Sequence, residues 1–320
     1  MTQFTNSIIS SLSINEVFYK WIDTKRPKLK TSTIQKYIST YNKHITHQIG
    51  CYLTDAISSD TVNKYLISTY SKANISASLF NLIRYLVKAT INYGVQMQYI
   101  TNITILVEAA HRKNTNIMIL STSQQKELIK CLTSDEITSV KLGILIALHT
   151  GMRLGEICGL QRNNIDFENG IIHVTKTVQR IKKDENTTAL ITDIPKSLSS
   201  FRDIPLTNFL MNYLNKYNIN NLSEDTYILS KSHKPFEPRT LQYGLARFIN
   251  QIGINNFHFH CLRHTFATNC IRAGMDPKTL SELLGHSNIS ITLNLYVHSD
   301  FEQKKKQIEL FEERYFQDIS

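Results

Sequence analysis

With 320 residues, 42% of them hydrophobic and 19% charged, the chain is long enough for two domains of roughly 100 to 200 residues and apolar enough to bury a core in each. Five scattered cysteines without a CxxC pair argue against a disulfide framework and for reduced thiols in a cytosol, and the longest apolar run, residues 142–148, is too short to span a bilayer. The net charge of +10 sits mainly at the front, where residues 1–115 carry 13 Lys/Arg against 5 Asp/Glu; this third is expected to meet a polyanion, with solvated surface as the bland alternative.

The first 13 residues have neither a basic segment nor a long apolar run, so no secretory leader is expected. Ser13 with Glu16 forms a capping box, and Ile14, Val17, Phe18, Trp21 and Ile22 follow at helical spacing. Further helices are predicted at 34–45, 62–68 and 79–93, the last closed by Gly94. Four amphipathic helices with no strand signal make a small all-α domain over residues 1–106. Its Lys25, Arg26, Lys28, Lys30, Lys36 and Lys43 cluster around Pro27 and the start of the second helix, where amides and cationic side chains suit phosphate groups. Periodicity then fades across 107–120, the expected linker, which adds Arg112 and Lys113 to this basic set.

A second domain is expected over 121–320, opened by the capping box of Ser121 and Gln124. An apolar helix is predicted from 135 to 150. After the turn at Gly151 a new helix begins, which presents Arg153 beside a helix start with Glu156 three residues on. Strands follow: 165–167 with 171–178 across a Glu-Asn-Gly turn, and 191–195 with 201–206, the second hairpin carrying Lys196 near its tip. Residues 206–250 read as helices and loops without nameable chemistry.

The richest stretch is 258–296. His260, Arg263 and His264 open a helix, Asp276 with Pro277 caps the next, and Gly285 ends it, leaving His286 at a helix end. A third short helix from about residue 290 carries Tyr296. Two turns thus bring His260, Arg263, His286 and Tyr296 towards one place. Any one of these histidines taken alone reads as a hydrogen-bonded structural residue, and a tyrosine on an apolar helix as core. A metal site is the sharper rival, since His258, His260 and His264 fall at ligand-like spacings; against it, Arg263 puts a fixed charge among them and no Asp or Glu lies between His258 and Ala273.

The order H-x-L-R-H, L-G-H and a tyrosine ten residues later resembles the tyrosine recombinases, also called phage integrases, and T-G-M-R-L-G-E-I-C-G-L resembles their first conserved box. The segment P-K-S-L-S-S-F-R-D-I-P-L resembles the strand-turn stretch whose lysine reaches the scissile phosphate, matching Lys196, with Lys182 or Lys183 as alternatives. A weaker likeness, F-x-x-W then K-x-S-T-x-x-x-Y then H-I, places the family's core-binding domain at the front.

The resemblance implies a multidomain protein, an all-α core-binding (SAM-like) domain plus a mixed α/β, mainly helical catalytic domain with a small antiparallel sheet. It implies Arg153, Lys196, His260, Arg263, His286 and Tyr296 as catalytic residues, with Glu156 and His264 behind them, and the basic set above as DNA contacts. It implies double-stranded DNA as substrate, a tetramer on DNA, a 3′-phosphotyrosyl intermediate, and no metal or other cofactor, because arginines and a lysine already surround the phosphate. Integration or excision of a mobile element is the expected role, in a cytoplasmic, nucleoid-associated protein without membrane contact. A chromosome-dimer resolving recombinase and a type IB topoisomerase remain the rivals, and participation of an accessory bending or directionality factor is left open.

Overall fold

The computed structural model describes residues 11–111, 118–182, 187–193, 201–286, 288–290, 292–293, 305 and 308–313, and the chain divides into two compact units, Met1–Thr115 and Asn116–Ser320.

The first unit is helical: α1 (Ile14–Lys25), α2 (Thr31–His44), α3 (Ser59–Tyr70) and α4 (Ala77–Gln96). The expected capping box heads α1, Ser13 Oγ accepting the Glu16 N–H at 3.2 Å and Glu16 Oε2 accepting the Ser13 N–H at 2.7 Å. The buried faces supply a core in which Phe18 stacks on Tyr41 with ring centroids 3.6 Å apart, surrounded by Trp21, Leu66, Phe80, Ile83 and Leu86. Helices α2 and α3 begin three residues before the predicted starts, at Thr31 and Ser59. Polar first turns carry no apolar period, yet they form readily once capped, as Ser58 does by accepting the Thr61 N–H. Gly94 does not end α4. It lies inside the helix, where a Cβ would come within 2.5 Å of Ile100 Cδ1, so its bareness lets the following chain fold back onto the helix.

That returning segment is strapped down by side chains. Asn63 donates to Thr104 O and accepts the Leu106 N–H, both at 2.9 Å, and Asn81 does the same for the two backbone groups of Ala110, at 2.9 and 2.7 Å. Arg84 donates to Val107 O. Val107 and Ala110 pack on the core of this unit.

The second unit is built around α6 (Ser139–Thr150), which is buried on nearly every side through Leu142, Ile144, Leu145, Ile146 and Ala147. Around it pack α5 (Thr122–Thr133), α7 (Leu154–Cys158), α8 (Asn208–Lys216), α9 (Pro238–Gln251) and α10 (Phe259–Arg272). Each fully buried Leu or Ile contributes about 1.5 to 3 kcal/mol, so this central helix anchors whatever its ends carry. It starts at Ser139, not at 135, because Thr138 caps it by accepting the Lys141 N–H at 3.3 Å while Asp135 instead pairs with Lys141 Nζ at 3.6 Å.

The strands form two small antiparallel sheets, with orders β1-β2-β5 and β3-β4. These are β1 (Ile165–Asp166), β2 (Ile171–Val174), β3 (Thr177–Lys182), β4 (Thr188–Asp193) and β5 (Arg202–Pro205). The first hairpin forms, Ile165 opposite Ile172, but the strand expected over 171–178 is broken: it ends at Val174, and the chain from Thr177 enters the other sheet as β3. The second hairpin does not form: β4 pairs with β3, Ile191 opposite Gln179, and β5 pairs with β2, Ile204 opposite Ile172. Both Ile172 and Ile204 are buried, and that burial draws β5 to β2 instead of to its neighbour in sequence. Among the described residues no helix is long and apolar enough to cross a membrane.

Candidate active site

The site begins where α6 ends. Gly151 takes a left-handed φ of 64°, and a Cβ there would come within 2.5 Å of Phe266 Cδ1 and 2.8 Å of Leu284 Cδ2. The turn is thereby wedged between α10 and α11 (Pro277–Leu284). Two residues on, Arg153 occupies the N-cap of α7. Glu156, at the third helical position, accepts the Arg153 backbone N–H on Oε2 and the guanidinium Nη1 on Oε1, both at 2.8 Å. The pair spaced as a surface helix contact is therefore something stronger, since Glu156 is only 3% exposed.

Helix α11 is placed with equal economy. Asp276 Oδ1 accepts the N–H groups of Lys278 and Thr279 at 3.0 and 2.9 Å, Pro277 fills the first helical position, and Gly285 ends the helix at φ 63°. Three carbonyls at that end point to cations: Arg202 Nε donates to Leu283 O at 2.6 Å, Arg263 Nη2 to Leu284 O at 2.6 Å, and Arg153 Nη2 to Gly285 O at 2.9 Å. The negative end of the helix dipole and its orphan acceptors are satisfied by guanidiniums. Arg263 also donates Nη1 to Gly151 O at 2.8 Å, tying the C-terminus of α6 to that of α11.

Arg202, absent from the expected set, completes a bridge. Its Nη1 and Nη2 donate to Glu156 Oε1 and Oε2 at 3.2 and 2.8 Å. Three positive charges thus share one carboxylate. Burial presses the Glu156 carboxyl upward, but the hydrogen bonds and charge of Arg202, with Arg153, outweigh it and hold the group below the usual carboxylate range. Burial, then the charge of Arg153, lowers Arg263 to about 9 against the opposing pull of Glu156, which leaves it protonated at neutral pH. Arg153 is the accessible member, its side chain 37% exposed, while Arg263 is 3% exposed.

The histidines are uncharged in this field. His286 is lowered to about 4 by partial burial and by Arg263, Arg153 and Arg202 in turn. Its Nδ1 lies 2.8 Å from Thr292 Oγ1, and that threonine is fully buried, so the ring is fixed through that nitrogen. His260 is likewise lowered to about 4, by desolvation, His264, Arg263 and Arg153. The rings of His260 and His264 meet edge-on, 4.7 Å between centroids, and burial with the charge of Arg263 lowers His264 too. Of the three histidines suggested by spacing as ligands, His260 and His264 lie in the field of Arg263, which repels a divalent cation. Among the described residues no group of three His, Cys, Asp or Glu side chains could hold a metal.

The structure therefore brings Arg153, Glu156, Arg263, His260, His264 and His286 into one electrostatic cluster. Lys196, the alternative Lys183, and Tyr296 lie outside the described residues, as does the side chain of Lys182. In the first unit, Lys25 ends α1 with its ammonium 5.8 Å from the Trp21 ring centroid, and exposed Arg26 pairs with Asp23 at 2.8 Å. Exposed Lys28 precedes α2, Lys30 is its N-cap, and Lys36 and Lys43 ride exposed on it; Arg112 and Lys113 lie outside the described residues. Arg202 and Thr292 escaped the sequence reading. An arginine opening a short strand is the one hint the first offers; the second gives no local signal.

The described arrangement is that of an anion site with two neutral imidazoles beside it. The phage integrase family model matches residues 119–303, and that of the phage integrase N-terminal SAM-like domain matches residues 13–67. A tyrosine recombinase XerC-like protein of Caldanaerobacter subterraneus subsp. tengcongensis is 25% identical over 331 residues, covering 95% of this chain and 84% of that protein. The transposase from transposon Tn916 of Enterococcus faecalis is 30% identical over 200 residues; the match covers 58% of this chain and 48% of the transposase, about half its length. In fold, the chain resembles the Tn1549 transposon integrase solved in complex with a circular intermediate DNA, with a TM-score of 0.76 at 21% identity over 94% of this chain and 100% of that one. The chain belongs to the phage integrase family, the tyrosine recombinases.

Proposed function

We propose that this chain is a site-specific recombinase that cuts and rejoins double-stranded DNA for the integration and excision of a mobile element. The observation that carries the reading is the set of guanidiniums fixed on consecutive carbonyls at the end of α11, with Arg153 accessible and His286 adjoining. Guanidinium forks match phosphate oxygens, and even Arg263, lowered to about 9, keeps its charge at neutral pH. Charge held in place before the reaction needs no reorganisation as the pentacoordinate phosphorus forms.

In this reading the Tyr296 phenol oxygen bonds to phosphorus, the bond from phosphorus to the 5′ oxygen breaks, and Lys196 gives that oxygen its proton. Neutral His260 and His286 hydrogen-bond the phosphate or take the phenol proton, which an imidazole near pKa 4 does only transiently. The product is a 3′-phosphotyrosyl ester and a 5′-hydroxyl. A phenol leaves far more readily than an alkyl alcohol, so a second 5′-hydroxyl reverses the step without ATP. No step calls on a metal or other cofactor.

The mobile-element assignment rests on the Tn916 transposase likeness. The basic residues of α1 and α2 contact the DNA backbone with Arg112 and Lys113, four protomers assemble on paired sites, and the protein works at the nucleoid. Tyr296→Phe tests the chemistry. It should bind a nicked suicide duplex as the unmutated chain does and form no covalent adduct on denaturing electrophoresis; an undiminished adduct would place the nucleophile elsewhere.

A further inference from the structure

Arg202 opens β5 and its side chain is 5% exposed, too buried to meet a phosphate itself. Its geometry gives it another task. Glu156 receives four hydrogen bonds, two on each oxygen: Oε1 from Arg153 Nη1 and Arg202 Nη1, Oε2 from the Arg153 backbone N–H and Arg202 Nη2. Arg202 closes both ends of the carboxylate with its two terminal nitrogens, while Arg153 has only one guanidinium nitrogen on it. The second terminal nitrogen of Arg153 is carried off to Gly285 O, next to His286.

A carboxylate facing a single arginine would turn to meet both terminal nitrogens and neutralise it. With Arg202 as its bidentate partner, Glu156 orients Arg153 through one nitrogen and leaves that arginine's charge mostly unspent. The Arg202 Nε bond to Leu283 O fixes the bridge to the same helix end that receives Arg153 and Arg263. We propose that Arg202 is a positioning residue for the phosphate clamp, holding Glu156 so that Arg153 is oriented without being neutralised. This rests on the recombinase reading above.

The test compares Arg202→Ala and Arg202→Lys with the unmutated full chain. Single-turnover covalent adduct formation is followed at saturating protein on nicked duplexes carrying either an ordinary scissile phosphate or a methylphosphonate, which lacks one charged non-bridging oxygen. A substrate with less charge to stabilise depends less on the clamp. Removing one preorganised donor commonly costs about 100- to 1,000-fold, and one step behind the phosphate we expect about 10- to 100-fold for Arg202→Ala. That loss should shrink to under about threefold on the methylphosphonate, and Arg202→Lys, which restores the charge but not the fork, should recover part of the phosphate rate. Thermal unfolding followed by circular dichroism establishes which variants are folded; if the alanine variant is not, the phosphate-to-methylphosphonate ratio of folded Arg202→Lys decides. Equal losses on both substrates, or an unchanged rate on phosphate, would overturn the role. If the unmutated chain forms no adduct on either duplex, the recombinase reading itself falls and the role of Arg202 falls with it.

Discussion

Arg263→Lys keeps a positive charge at the centre of the cluster and removes its fork, so it separates what the guanidinium holds together from what it attracts. In the unmutated chain Nη1 reaches Gly151 O at 2.8 Å and Nη2 reaches Leu284 O at 2.6 Å. One ammonium can serve one of these carbonyls well, leaving the other buried with a lost charge-assisted bond. Such bonds contribute about 1.5 to 3 kcal/mol each, so a loss of about 2 to 3 kcal/mol is expected. For a folding unit of some 200 residues this lowers the melting temperature by roughly 4 to 12 °C. The same change halves the fork offered to phosphate, which should slow covalent adduct formation by about 100-fold or more. Circular dichroism melts without DNA read the first effect, and single-turnover trapping on a nicked duplex at saturating protein reads the second. Arg153→Lys is the control: its side chain is 37% exposed and water can replace part of its bond to Gly285 O, so its melting temperature should fall less. An Arg263→Lys melt within about 1 °C of the unmutated chain would refute the claim that this residue ties α6 to α11.

Two further outcomes follow, one from the proposed chemistry and one from the histidines of the cluster. If Lys196 protonates the leaving 5′ oxygen, Lys196→Ala should lose about 100- to 10,000-fold on an ordinary duplex, yet cleave a 5′-bridging phosphorothiolate nearly as fast as the unmutated chain, since a thiolate leaves without a proton; equal impairment on sulfur and oxygen would turn attention to Lys182, Lys183 and His260. His260 and His286, each lowered to about 4, should stay neutral from pH 8 to pH 5.5 in the DNA-free protein, their ring signals titrating near 4 in NMR spectra. Because the folded pKa values lie below the unfolded ones, both rings' contribution to stability is complete above about pH 6.5 and is lost as the pH falls towards 4; a titration midpoint above 6 for either ring would sink the account of half-buried rings in a crowded positive field.

What could be read from the sequence was what local chemistry decides. The capping boxes of Ser13 and Ser121, the Asp276-Pro277 start of α11 and its Gly285 stop are all written within a few residues of where they act. Arg153 could be placed at a helix start for the same reason. The pairing of β5 with β2 could not, because it is settled by burial of Ile204 against Ile172, thirty-odd residues apart, and not by the adjacency of β4. Gly94 looked like a stop because nothing local reveals that Ile100 returns to lie against it. Arg202 was hidden for a similar reason: its partners Glu156 and Leu283 lie 46 and 81 residues away, and no periodicity marks a strand residue that serves a helix end.

The choice of acceptor explains why these arginines can be both buried and useful. A buried guanidinium must be hydrogen-bonded, and a carboxylate is its strongest partner, but matching each arginine with a carboxylate would cancel the charge that a phosphate needs. Carbonyl oxygens orient a guanidinium through partial charge alone. Leu283, Leu284 and Gly285 offer three in succession because a helix end leaves its last carbonyls without internal partners, and Gly151 adds a fourth from α6. Glu156 then supplies one full negative charge to three positive ones, enough to register Arg153 and Arg202 against each other and too little to neutralise them. Burial first, and then this residual charge, keep His260 and His286 neutral.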